Sequence, residues 1–178
     1  MSNQVILWGT LIVPWLTLFF MPKEDVKRYM AAGLLSTILS VIVTEIGIRY
    51  AWWSILETTY PFAVIPTYSY GFFPVMPMWL LKYTYGRFGP YLAVDTVLNI
   101  GFAYFILPWF GNRGIVDFDG GLQVFIFESF IAIVLYRFQI WQEGIFVRSE
   151  KKNSSFNLQP AAAKPLDNDK EDTTDNND

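Results

Sequence analysis

The sequence has no cysteine and no histidine, and charged residues make up only 16% of its 178 positions. Each shortage removes a class of chemistry. Without cysteine there is no disulfide framework, thiolate nucleophile or thiolate-bound metal. Without histidine there is no Ser-His-Asp machinery, no imidazole proton relay, and no imidazole-bound haem or zinc. Basic residues are not in excess, so a nucleic-acid-binding face has no electrostatic basis and no nucleic-acid partner is expected.

What is present is greasy and aromatic, with 53% hydrophobic and 19% aromatic residues. The charge is unevenly divided. Residues 1–142 hold eight basic and eight acidic side chains, and residues 143–178 hold five basic and eight acidic, so the net charge of −3 belongs to the tail. Only Phe146 and Phe156 carry aromatic rings into that tail. The pattern is that of a membrane-embedded body with a polar end.

A spanning helix needs about 20 predominantly apolar residues. Five segments qualify: 4–21, 29–49, 62–82, 90–109 and 121–141. The first lacks a basic leader and a small-residue cleavage site, so it reads as an uncleaved span. The third contains Pro66, Gly71, Pro74 and Pro77, which predict a kinked or broken helix, with the kink the simpler outcome. The fourth opens at Gly89-Pro90 and closes at Pro108, before a loop with Gly111, Asn112 and Gly114. The expected fold is an all-α, polytopic bundle of five spans over residues 1–147. An acidic tail follows over 148–178, polar enough to be disordered from about residue 150.

Lysines and arginines flanking the spans set orientation. Lys23, Lys27, Arg28, Lys82, Arg87, Arg148, Lys151 and Lys152 fall on one side, against Arg49 and Arg113 on the other. This alternation fits five spans with the amino terminus outside and the tail in the cytoplasm. Omitting the third span would put loops of opposite bias on the same side. That side-to-side bias makes Asn153-Ser154-Ser155 a chance match to a glycosylation sequon. Trp8, Trp52, Trp53 and Trp109 lie near the outer span ends and Trp79 and Trp141 near the inner ones, as interfacial anchors do; Trp15 is the exception.

Ionisable residues within spans are the candidate sites. Glu45 and Arg49 stand four apart on one helix face, in the favourable acid-first order. Asp95 in the fourth span and Arg137 in the fifth lie at similar depth, which suggests an ion pair between helices. Asp95 and Asn99 share a helix face with Thr96 nearby, a cluster that interhelical hydrogen bonding would explain. Glu128 lies about 10 Å below the outer end of its span at ~1.5 Å per residue. It is left to share Arg49, reach water or carry a proton. Glu128, then Glu45, are the first choices for a ligand or ion pathway, against a purely structural role for all six. The stretch Pro66–Pro74, with Tyr68, Ser69 and Tyr70, is the most unusual in the chain; broken spans of this kind bind ions in transporters. Ala31, Ala32, Gly33, Ser36 and Ser40 offer close helix packing.

Phe-Phe-Met-Pro-Lys at 19–23, Thr-Glu-Ile-Gly at 44–47, Tyr60-Pro61 and the proline-rich third span together resemble small, uncharacterised multi-pass membrane proteins of spore-forming Gram-positive bacteria. The resemblance covers about residues 10–140. It implies a cytoplasmic-membrane location and a helical bundle, and brings no activity and no site residues. The expected function is a non-enzymatic, structural or partner-binding role in the membrane, without cofactor or metal. The alternative is a small transporter or channel component using the intramembrane carboxylates. The expected partners are the lipid bilayer, a membrane protein or a second copy of the chain.

Overall fold

The computed structural model describes residues 2–62 and 64–157, the last of these, from 145, as helix backbone. The chain divides into one unit of Met1–Trp141 and a second from Gln142 onward. The first unit is built from helices and one short two-stranded ribbon. Helix α1 runs Asn3–Thr17 and tightens into a single 3₁₀ turn at Leu18–Phe20. Helix α2 covers Lys23–Arg49 and α3 covers Tyr68–Thr84. Helix α4 runs Phe88–Gly111 and α5 runs Gly121–Asn157. Four of these helices (α1 with its 3₁₀ turn, α2, α4 and α5 up to Gly144) are long and apolar enough to cross a membrane. Helix α3 has 17 residues and eleven of them are buried, so its role is central packing. Helices α1 and α2 both pack along α3, which also meets α4.

Local chemistry explains where the helices differ from the expected spans. Helix α2 starts six residues before the apolar stretch at 29. Pro22 is tolerated at its start, and Glu24 and Asp25 sit favourably against the positive end of the helix dipole. Helix α3 begins at Tyr68 rather than 62 because Pro66 biases the residue before it away from helical geometry. It is not broken: the helix continues through Pro74 and Pro77. Helix α4 contains one π-helical segment, Phe102–Ile106, and passes Pro108 to end at Gly111. Helix α5 extends to Asn157, past the expected limit near 150, since Glu and Lys are good helix formers. Residues 158–178 of the expected tail lie outside the described residues.

One proline-freed carbonyl finds its partner across the seam of α1 and α3, and other polar groups bond in and beside the same seam. Pro74 has no N–H, so the Tyr70 carbonyl four residues earlier loses its helical donor. The Trp15 indole donates to that carbonyl at 2.9 Å. Thr67 and Thr10 both donate to the Leu7 carbonyl at 2.8 Å. Thr17 donates to the Pro14 carbonyl at 2.6 Å, and Trp79 donates to the Thr17 hydroxyl at 3.0 Å. Gly71 sits against the backbone of Thr10 and Leu11, where a Cβ would overlap it. Trp15, the exception to the expected anchoring pattern, and Trp79 thus each donate a hydrogen bond in this seam.

The ribbon was not foreseen. Strand β1, Trp53–Ile55, pairs antiparallel with β2, Val116–Phe118, in the register Trp53–Phe118, Ser54–Asp117 and Ile55–Val116. The ribbon ties the segment after α2 to the segment after α4. Asn3 and Gln4 join the same end of the fold. Asn3 donates to Glu57 at 2.6 Å and to the Arg113 carbonyl at 3.0 Å, and Gln4 donates to Glu57 at 2.8 Å. At the opposite end Lys82 lies 3.8 Å from Asp25 and Arg28 stacks over the Tyr85 ring.

Candidate functional site

The interior of α2 is lined by short side chains. Its buried face carries Gly33, Ser36, Ser40, Thr44 and Gly47, spaced by three or four residues as one helical stripe requires, with Ala32 beside Gly33. Such residues let neighbouring helices approach closely. At Gly47 the Trp53 ring occupies the position a Cβ would take, and its indole donates to the Thr44 carbonyl at 3.3 Å. Glu45 and Arg49 fall outside this stripe. Both are exposed, and no ion pair joins them among the described residues. They do not belong to the interior site.

Two small cavities lie inside the bundle. The first, of about 50 Å³, is bounded by Ser36, Pro77, Asp95, Asn99 and Glu128, with apolar walls from α3 and α5. The second, of about 30 Å³, is bounded by Ser40, Thr44, Tyr68 and Glu128. Each is large enough to hold water. Glu128, Phe73 and Phe102 border both, so the Glu128 carboxyl stands between them. Phe102 opens the π-helical segment of α4, a local widening often found at functional sites.

The charges here are of one sign. Asp95 and Glu128 line the first cavity together, and Tyr68 and Glu128 line the second. Asp95 accepts a hydrogen bond from Asn99 at 2.8 Å, a bond within α4 and not the interhelical one expected of this cluster. Among the described residues no lysine or arginine lines either cavity. The expected ion pair between Asp95 and Arg137 is not formed: Arg137 is exposed. Helical geometry gives the reason. Arg137 follows Glu128 by nine residues, about two and a half turns, which puts it on the opposite face of α5. Ile131, Ala132 and Leu135 share the Glu128 face instead. Depth along the membrane was a poor guide to pairing because it ignores this rotation.

Helix α5 is held in place beside the site. The buried Tyr91 hydroxyl of α4 donates to the Ala132 carbonyl at 3.0 Å, and its ring lies 4.9 Å from that of Tyr136. Sequence reading singled out Glu128, Asp95, Asn99 and Tyr68 but not the walls Ser36, Ser40 and Thr44 as site residues. Their spacing with Gly33 and Gly47 was the available signal. Among the described residues no group of three acidic side chains gathers as a metal site would require.

The four helices long and apolar enough to cross a membrane are those of a helical membrane protein, and Asp95 and Glu128 are half-buried among them. No protein-family model, curated protein or solved structure matches the chain.

Proposed function

We propose that the chain is a multi-pass integral protein of the cytoplasmic membrane that takes up a monovalent cation, proton included, at Glu128, as a small transporter or channel component does. The observation that carries the reading is the pairing of two carboxyls across one water-sized cavity that no basic side chain lines. A charged carboxyl taken out of water needs an opposite charge, a set of donors, or a proton. Asp95 has Asn99, whereas Glu128 has no hydrogen-bond donor among the described residues. A proton or a small cation fits the space and supplies what is missing.

Five spans, with the amino terminus outside and the carboxyl end in the cytoplasm, are part of the proposal. The shared end of Asn3, Glu57 and the β1–β2 ribbon supports it, since the loops with few basic residues meet there. The resemblance to small membrane proteins of spore formers agrees with this placement. The test uses purified protein in lipid vesicles carrying an internal pH dye, under an imposed membrane potential, in sodium and in choline buffers. Wild type is expected to pass protons or sodium above protein-free vesicles. Glu128→Gln is expected to remove that flux, while Arg137→Gln and Glu45→Gln retain it. Flux no higher than in empty vesicles, or unchanged in Glu128→Gln, overturns the reading and returns the molecule to a structural or partner-binding role.

A further inference from the structure

Helices α1 and α2 are joined by the short Met21-Pro22 connection, yet both pack chiefly on α3. Between them they leave an outward-facing groove of about 720 Å³. Leu11, Trp15 and Phe19 of α1 and Val26 and Met30 of α2 form its apolar walls. Lys23 and Lys27 line the same groove at the α2 start, and both are exposed. They stand four residues apart, about 6 Å along one helix face. Of the two acids in the first turn, Asp25 faces Lys82 of α3 at 3.8 Å, and Glu24 is exposed and is not part of the groove lining.

We propose that this groove is a binding site for one anionic glycerophospholipid, with its phosphate on Lys23 and Lys27 and an acyl chain along Trp15 and Leu11. Charge complementarity selects the occupant. An apolar trough alone accepts any lipid tail, but two cations at one mouth of it favour a tail that carries an anion at the matching end. Basic pockets between spanning helices on the cytoplasmic side recognise anionic headgroups in this way. The Trp15 ring is fixed by its bond to the Tyr70 carbonyl, which gives the chain a rigid wall to lie on. The site is separate from Glu128 and rests only on the membrane-spanning part of the proposed function.

Native mass spectrometry of the full-length protein, released from micelles doped equally with phosphatidylglycerol and phosphatidylcholine, tests the assignment. The expected result is one retained phosphatidylglycerol, preferred roughly thirtyfold, as two lysines at an anionic headgroup should give. Lys23→Gln with Lys27→Gln is expected to erase the preference, and Leu16→Trp, which fills the groove, to reduce retention of both lipids. Glycerol phosphate, an anion without a chain, is expected not to be retained. Equal retention of the two lipids, a preference that survives the lysine changes, or a dimer that excludes lipid overturns the assignment. Carbonate extraction separates the two failures. A chain released by carbonate argues against membrane spanning itself, and an inserted chain without lipid preference argues against this groove alone.

Discussion

The bond between Trp15 and the Tyr70 carbonyl makes a quantitative prediction about how α3 tolerates Pro74. Trp15→Phe keeps an aromatic ring but deletes the donor that lies 2.9 Å from that carbonyl. An unsatisfied backbone acceptor out of water costs about 1–3 kcal/mol, and hydrogen bonds between membrane helices measure ~0.6 on average and ~1.7 at most. A loss of about 1–1.5 kcal/mol follows, together with a packing loss for the smaller ring. Pro74→Ala separates the two. It restores an N–H at position 74, and the Tyr70 carbonyl regains its helical partner. In that background Trp15→Phe should lose only the packing contribution. The double-mutant cycle therefore has an expected coupling of about 1 kcal/mol, well above the ~0.3–0.5 kcal/mol scatter of independent sites. Reversible unfolding in mixed detergent micelles, followed by circular dichroism, measures all four proteins. Strict additivity would refute the idea that the indole replaces the hydrogen bond proline removes.

The remaining predictions concern the same fold. Gly47→Ala forces the Trp53 ring out of its notch and should cost about 1–3 kcal/mol, as overpacking does. Gly9→Ala, where a Cβ meets nothing within 4 Å, should be neutral or slightly stabilising by the same measurement. Glu57→Ala removes the acceptor shared by Asn3 and Gln4, and should speed hydrogen exchange in the first turn of α1 while leaving α3 unchanged. Because the chain has no cysteine, single introduced thiols report topology directly. Asn112→Cys should react with an impermeant maleimide from outside intact cells and Arg87→Cys only after permeabilisation; the reverse pattern would invert the proposed orientation.

The helices were legible because each rests on local chemistry: apolar length, prolines at helix starts and glycine-rich ends. Glu128 was legible as an oddity for the same reason, being an acid in an apolar run. Its surroundings were not. Pairing depends on rotation about each helix as well as depth, and Arg137 shows the difference, since it lies at a suitable level on the wrong face of α5. Strands β1 and β2 escaped notice because three-residue strands carry no period, and they are specified by pairing between distant segments, with Trp53 opposite Phe118 and Ser54 opposite Asp117, rather than by either segment alone. The proline-rich third span was legible in part: of the kinked and broken helices the prolines allowed, the continuous helix over Tyr68–Thr84 removes the broken one. Interior prolines predict disruption when the freed carbonyls have nowhere to go, and no local pattern reveals that Trp15 waits on another helix.

The two sides of α3 handle polar groups differently, and that contrast bears on function. Towards α1 the Tyr70 and Leu7 carbonyls each meet a donor from across the seam, so the bundle can satisfy the carbonyl that Pro74 leaves over. Towards α4 and α5 the costlier group, a carboxyl, faces two cavities with a second acid beside it and no basic residue on the walls. A single glutamine at 128 would relieve the repulsion without changing side-chain volume appreciably. If the acid served packing alone, Glu128→Gln should therefore stabilise the protein in the micelle unfolding assay and leave vesicle flux unaltered. If the acid binds a cation, the same change should abolish the flux, and added sodium or a lower pH should no longer alter stability through this site. The two roles differ in the flux that Glu128→Gln leaves behind, so one variant decides between them.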